Sequence, residues 1–159
     1  MEAVMKANYA QIGKAVKMFY PEMLKEITPR LTKPEPVFIH TILLPALLKR
    51  FCELKEISES SVVDASFDRD TNEVKFLFIA VVIKLYNPDL LTGLHSDIMR
   101  PTLARELSAV LKAGRTWISQ QTNDIKWRLN PYKEKDKYVA FKEEVNKIAK
   151  VLEIEFGKS

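Results

Sequence analysis

The sequence predicts an all-α protein, a compact multi-helix domain with a central buried helix and a C-terminal helix-turn-helix followed by a long amphipathic helix. Only four glycines occur in 159 residues, while 29% of the residues are charged, which favours helices over a turn-rich β fold. A hydrophobic content of 47% argues against disorder, and this length suits one compact domain. Apolar residues also recur at spacings of three and four along much of the chain, as expected for helices with one buried face.

Residues 1–35 read as an N-terminal amphipathic helix followed by a proline-rich connector. Five apolar residues alternate at spacings of four and three: Met5, Tyr9, Ile12, Val16 and Phe19. This seam is of coiled-coil type, so the helix either packs on its own domain or forms a dimer contact. Pro21 interrupts the helical pattern, and Pro29, Pro34 and Pro36 predict an extended connector beyond it.

Residues 36–99 form the predicted helical core. One helical side between residues 37 and 56 is apolar: Ile39, Ile42, Leu43, Leu47, Phe51 and Leu54. Pro45 lies inside this pattern and predicts a kink or two abutting helices. The polar stretch 58–70 is interpreted as a loop that could contain a short strand.

Residues 74–86, VKFLFIAVVIKLY, are apolar almost all round and predict the central buried helix. A buried strand is equally compatible with the β-branched run. However, Asp70 followed by Glu73 is typical of a helix start, and Asn87 with Pro88 is a stop signal. The run of about thirteen residues is too short to span a membrane, and Lys75 and Lys84 flank it.

Residues 100–159 predict two helices joined by a turn, followed by a long amphipathic helix. Pro101 favours a helix start, and Leu103, Leu107, Val110 and Leu111 share its apolar face. Gly114 is expected to adopt the left-handed conformation that turns the chain. In the second helix an inner face is predicted at Ile118, Thr122, Ile125 and Leu129. After Asn130 and Pro131 the pattern continues at Tyr138, Phe141, Val145, Ile148 and Leu152, in a helix that folds back on the core or pairs with a copy of itself.

The run LSAVLKAGRTWIS, residues 107–119, resembles the helix-turn-helix of phage-repressor type proteins, whose common pattern is LAxxLGVSxxxIS. Leu107, Leu111, Ile118 and Ser119 match this pattern. Ser108 stands where a small alanine is usual. The resemblance implies that the second helix of the pair enters the major groove of DNA.

Two positions in the turn depart from that pattern. Lys112 occupies the family's glycine position, and Gly114 replaces the serine that usually caps the second helix. A looser similarity, to the C-terminal DNA-binding domain of bacterial replication initiators, comes from a preceding hydrophobic helix and from the dipeptide Gly114-Arg115.

Basic residues are concentrated in the same part of the chain. Residues 100–142 contain ten Lys or Arg and four Asp or Glu, a local net charge of +6, whereas residues 1–99 contain twelve basic and thirteen acidic residues. This asymmetry is typical of a polyanion-binding region, although a solvated basic surface would give the same pattern.

These observations predict that the protein binds DNA and that ten residues contact it. Base contacts are expected from Arg115, Thr116, Gln120 and Asn123, and phosphate contacts from Ser119 and Lys126. General electrostatic attraction to the DNA backbone is expected from Lys112, Arg128, Lys133 and Lys135. The protein would then bind double-stranded DNA specifically, either alone or as a homodimer, as a transcriptional regulator or replication accessory of a bacterium or mobile element. The alternatives are a helical protein-interaction or oligomerisation module, and an RNA or single-strand binder that stacks bases on Trp117 or Trp127.

Catalytic and cofactor chemistry have no support in the sequence. Neither His40 nor His95 has a Cys or carboxylate near it at the spacing of metal ligands. The sequence motifs of phosphate-binding loops, nucleophile elbows, zinc proteases and dinucleotide-binding loops do not occur. We therefore expect no enzyme activity, no metal and no cofactor. Cys52 is expected to be a buried packing thiol. Charged residues through the first twenty positions argue against a signal peptide, so a cytoplasmic protein without membrane contact is expected.

Overall fold

A computed structural model describes residues 8–63, 69–132 and 136–157 of the chain. The predicted all-α class is confirmed, because the described residues form helices and turns and contain no strand. The chain divides into two compact units, Met1–Lys33 and Pro34–Ser159. The second unit contains the helices of both predicted segments, 36–99 and 100–159.

The first unit consists of helices α1 (Tyr9–Phe19) and α2 (Pro21–Ile27) and a 3-10 turn, Thr28–Leu31. Helix α1 begins with a reciprocal capping box. The Gln11 amide donates to Asn8 Oδ1 at 2.8 Å, and the Asn8 amide donates to Gln11 Oε1 at 3.1 Å. Pro21 begins α2 at the position where a proline loses no helical hydrogen bond.

The predicted apolar seam of α1 is uncovered within this unit. Tyr9 is 92% exposed and Phe19 is 68% exposed, and no described side chain of α1 or α2 is buried. Met5 lies outside the described residues. Both predicted roles of the seam, packing on its own domain and dimer contact, remain predictions.

The second unit begins its helical part with a 3-10 turn, Thr41–Leu43, that runs directly into α3 (Leu44–Lys55). Pro45 lies in the first turn of α3, so the predicted kink is absent from the helix and the predicted abutment of two elements is correct. Ile39 and Ile42 were expected on the buried side, but they are 70% and 84% exposed. The reason is that they precede the α-helix, where the spacing of three and four no longer places side chains on one face.

A short helix, α4 (Glu59–Val62), occupies the start of the stretch that was predicted to be a loop. The strand suggested for this stretch is not formed over residues 59–62, and residues 64–68 lie outside the described part of the chain. Helix α5 (Arg69–Tyr86) follows. Asp70 lies inside its first turn rather than ahead of it, and Glu73 forms an ion pair with Arg69 at 3.2 Å in place of the predicted capping box.

Helix α5 is the predicted central helix. Eleven of its residues are buried: Lys75, Phe76, Leu77, Phe78, Ile79, Ala80, Val81, Val82, Ile83, Leu85 and Tyr86. Helices α4, α6 (Pro101–Leu111), α7 (Arg115–Arg128) and α8 (Val139–Phe156) pack against it, and Phe51 of α3 contacts Phe78 edge-on at 5.1 Å. No helix among the described residues has the length and apolar character that a bilayer crossing requires.

The end of α5 is joined to the start of α6 by polar groups. The buried Asn87 side chain accepts a hydrogen bond from the Arg100 amide at 3.1 Å, and it donates to Asp89. The Arg100 guanidinium donates to the Tyr86 carbonyl. A 3-10 turn, Pro88–Leu91, lies between these contacts. These hydrogen bonds fix the point at which α6 leaves the central helix.

Helix α8 folds back on the core, one of the two arrangements predicted for it. Val145, Ile148 and Leu152 are buried against α5 and α3. The Arg50 guanidinium donates two hydrogen bonds to Glu155, at 2.8 and 2.9 Å, and these bonds lower the pKa of that carboxyl group. An ion pair between Lys55 and Glu144 adds a second link from α3 to α8.

The reactivity of Cys52 tests whether α3 is packed into the core. It is buried in α3, as predicted, and burial raises the pKa of its thiol to about 11. We therefore expect the native thiol to resist Ellman's reagent at pH 8, because it is both protonated and inaccessible, and to react at full rate in guanidinium chloride. Full-rate reaction of the native protein would contradict this packing.

Candidate nucleic-acid interface

Three residues connect α6 to α7, and their backbone conformations differ from the prediction. Lys112 is left-handed, with φ 51° and ψ 43°, whereas Gly114 is extended, with φ −66° and ψ 144°. The assignment of the left-handed turn to Gly114 is therefore wrong. Helix α6 ends at Leu111, so the reversal takes place two residues earlier than predicted, at the position where the repressor pattern has glycine.

Hydrogen bonds to Ser108 hold this turn closed. The Lys112 and Ala113 amides both donate to the Ser108 carbonyl, the second at 3.1 Å, and the Ser108 hydroxyl donates to the Ala113 carbonyl. These contacts compensate for the steric cost of a left-handed lysine. Gly114 precedes α7 in a conformation open to any residue, and a Cβ atom there would meet nothing within 4 Å.

The strain at Lys112 gives a testable prediction. Lys112→Gly should raise the free energy of unfolding by about 0.5 to 1 kcal/mol, because glycine adopts this conformation without steric cost but loses more backbone entropy on folding. As a matched control, Lys147→Gly on the exposed side of α8 should lower it by about 1 kcal/mol. Chemical denaturation followed by circular dichroism measures both, and destabilisation by Lys112→Gly would contradict the turn geometry.

The inner face of α7 is buried as predicted. Four residues of this face are buried in the core: Ile118, Thr122, Ile125 and Leu129. The Thr122 hydroxyl donates to the Ile118 carbonyl at 2.8 Å, which satisfies its one donor. At 3.6 residues per turn, these four side chains span about 60° of the helix circumference. The opposite side of α7 is therefore available to solvent.

Six of the ten predicted contact residues form one exposed surface, which we call the outer face: Lys112, Arg115, Thr116, Ser119, Gln120 and Asn123. The five that belong to α7 span about 140° of its circumference. Within the described part of the chain, no hydrogen bond or ion pair engages any of the six side chains. No carboxylate belongs to the outer face, and Asp124, the one acidic residue in α7, is paired with Arg128 at 3.1 Å.

Two other predicted contact residues are engaged by the protein itself, and two lie outside the described residues. The Lys126 ammonium group donates to the Asp97 carbonyl at 2.9 Å, so part of its donor capacity is used within the chain. Lys133 and Lys135 fall in the undescribed stretch between residues 132 and 136.

Arg128 lies among aromatic rings on another side of α7. Its guanidinium carbon is 4.6 Å from the ring centre of Phe76, 5.2 Å from that of Tyr138 and 5.5 Å from that of Phe141. These rings belong to α5, to the 3-10 turn Asp136–Tyr138 and to α8. Cation–π contact with Arg128 therefore links α7 to two neighbouring helices.

A structural role for Arg128 is testable. Arg128→Ala should lower the free energy of unfolding by about 1 to 3 kcal/mol, because ring contacts and the Asp124 pair are lost together. Arg115→Ala, which removes an exposed arginine from the same helix, should change it by less than about 0.5 kcal/mol. Unchanged stability in Arg128→Ala, measured by urea unfolding, would contradict this role.

One residue near the outer face was missed by the sequence interpretation. Lys75 was treated as a charge flanking the apolar helix, but its side chain is only 5% exposed. It lines a cavity together with Lys112, Thr116 and Gln120. The available signal was a lysine near the start of the apolar run 74–86, in which Lys84 is the only other charged residue.

The remaining chemistry of the described residues is sparse. Nowhere in the ranges 8–63, 69–132 and 136–157 do three His, Cys, Asp or Glu side chains come together as a metal site. No protein-family model matches the chain, and no curated protein or solved structure was found to be similar to it.

Proposed function

We propose that α7 is a recognition helix and that the protein binds double-stranded DNA with sequence specificity, as a regulator or replication accessory of a bacterium or mobile element. The observation that carries this proposal is the outer face. It is a continuous surface of unengaged polar and basic side chains on a helix whose opposite side is anchored in the core. A rigid helix with such a surface fits the major groove of B-form DNA.

The side chains of the outer face suit the chemistry of base edges and phosphates. Gln120 and Asn123 carry amides that can form two hydrogen bonds with adenine, and Arg115 can bind guanine in the same bidentate way. Ser119 can donate to a phosphate, and Lys112 adds charge at the turn. The pairing of Asp124 with Arg128 leaves the outer face with a net positive charge.

Two copies would extend this proposal to a symmetric site. If the protein binds as a dimer, the two α7 helices would contact successive major grooves about 34 Å apart. The target would then have two-fold symmetry. The exposed seam of α1 offers one surface for such a pairing.

The second candidate function is a protein-interaction or oligomerisation module without nucleic-acid binding. Exposed apolar side chains of the first unit favour it: Tyr9, Ile12, Met18, Phe19, Tyr20, Met23 and Leu31. Exposed apolar side chains that form a contiguous patch mark association sites in soluble proteins. The basic character of the outer face would then be incidental.

A binding titration separates these functions. Gel shifts with random duplex, single-stranded DNA and RNA at two salt concentrations should show the tightest binding to duplex. The logarithm of the binding constant should fall against the logarithm of salt with a slope of roughly −4 to −5, as expected for four to six neutralised phosphates. Preference for single strands would favour stacking on Trp127, which is 52% exposed.

Specificity is tested by substitution in the outer face. Selection from a randomised duplex library should yield a preferred site for the wild type, and Arg115→Ala with Gln120→Ala should abolish that preference while unfolding stability is retained. Lys147→Ala, an exposed lysine on α8, serves as the charge control and should keep the preference. An unchanged preference in the double variant would exclude α7 as the recognition helix.

A further inference from the structure

Helix α1 carries an apolar seam that its own unit leaves exposed. The described members of the seam are Tyr9, Ile12, Val16 and Phe19, which share about 80° of the helix circumference. Tyr9, Ile12 and Phe19 are exposed, and so is Tyr20, directly after the helix. Apolar side chains exposed together on one helix face are typical of an interaction site. The charges around the seam indicate what covers it.

Positive charge accompanies the seam. Helix α1 contains Lys14 and Lys17 and no acidic residue. Both lysines are exposed, and neither forms an ion pair or a side-chain hydrogen bond within the described part of the chain. The two carboxylates of α2, Glu22 and Glu26, already form ion pairs with neighbouring cations. The surface beside the seam is therefore positive, and it complements an anionic partner.

A second copy of α1 would cover the seam with little specificity. In a coiled coil built on the seam, oppositely charged residues normally flank the apolar positions and pair the two chains. The residues in those flanking positions are uncharged: Asn8, Gly13, Ala15 and Tyr20. Lys14 and Lys17 of both copies would add like charge, with no carboxylate on α1 to offset it. The composition of α1 therefore favours an anionic partner over another α1.

An anionic lipid surface matches both the seam and its charge. Helices in the bilayer interface bury an apolar face between headgroups and acyl chains and hold lysines near anionic headgroups. Tyr9 and Tyr20 suit that boundary, since a phenol combines an apolar ring with a polar hydroxyl group. Lys14 and Lys17 can reach the headgroups while their alkyl chains follow the apolar layer. At 11 residues, α1 has about half the length of a spanning helix, so it lies along the surface.

We propose that α1 binds anionic lipid bilayers as an interfacial helix, with the seam in the apolar layer and Lys14 and Lys17 at the headgroups. This proposal departs from the sequence expectation of no membrane contact. That expectation rested on the lack of a signal peptide and of a long apolar run, and an interfacial helix requires neither. The proposal does not depend on DNA binding, which is assigned to α7.

Vesicle co-sedimentation with the full chain tests lipid binding. The protein should bind vesicles made of equal parts of phosphatidylcholine and phosphatidylglycerol. Binding to vesicles of phosphatidylcholine alone should be at least roughly thirtyfold weaker, because two lysines near an anionic surface contribute roughly fivefold each. Equal binding to both kinds of vesicle, or no binding to the mixed vesicles, would overturn the proposal.

Substitutions in the seam test its insertion into the apolar layer. Ile12→Ser and Phe19→Ser should each weaken binding to the mixed vesicles roughly tenfold or more, because each removes an apolar side chain that the bilayer buries. Both residues are exposed in the free protein, so the circular dichroism spectrum should be unchanged. Ile154→Ser replaces an exposed isoleucine on α8 and, as the matched control, should bind like the wild type. Unchanged binding of Ile12→Ser and Phe19→Ser would overturn the proposal.

Two double variants test whether the charge of α1 acts locally. Lys14→Gln with Lys17→Gln should weaken binding to the mixed vesicles roughly thirtyfold. Lys147→Gln with Lys150→Gln removes two exposed lysines at the same spacing on α8 and should leave binding unchanged. Equal losses in the two double variants would mean that the net charge of the whole chain attracts the vesicles, and they would overturn the proposal.

Sedimentation velocity without lipid tests the competing occupant, a second copy of the chain. The wild type, Ile12→Ser and Phe19→Ser should share one oligomeric state, because the seam is free until lipid covers it. A wild-type dimer that both substitutions dissociate would assign the seam to a second copy and overturn the proposal. None of these assays contains nucleic acid, so their failure would leave DNA binding to its own test.

Discussion

Burial of α5 on almost all sides is the constraint on which the second unit depends. A helix without a polar face is stable in water only when other elements cover it, and here five helices do so. Each covering helix needs only one apolar stripe, so its other faces remain available for solvent or ligands. Polar links at Asn87 and the Arg50–Glu155 pair then select one arrangement of these helices.

The same constraint explains why α7 presents a clean outer face. Its four inner residues and the guanidinium of Arg128 hold the helix against α5 and α8. The outer side chains are therefore not needed to hold the helix in place. Lys75 is the exception in α5, because it is a charged residue that is only 5% exposed, and it lines a cavity together with Lys112.

Reasoning from the sequence was most accurate where periodicity is strong. The inner face of α7, the central helix and the return of α8 to the core all follow from apolar spacing, because burial requires a continuous stripe. Reasoning was weakest at single residues with unusual conformations or contacts. The left-handed conformation was predicted at Gly114 because glycine adopts it without steric cost. In the structure Lys112 adopts it, directly after the end of α6. Arg128 was assigned to DNA from its charge, although its guanidinium lies against the rings of Phe76, Tyr138 and Phe141.

The all-α class, the order of the longer helices and the inner face of α7 could be predicted from the sequence, because these depend on local spacing and on turn residues. Which charges are engaged within the protein and which face solvent depends on how the helices pack. Ion pairs, cation–π contacts and cavities join residues far apart in the chain, and no local pattern encodes their distances. Lys75 and Lys112 are separated by a helix and a loop in the sequence, and packing alone brings them to one cavity.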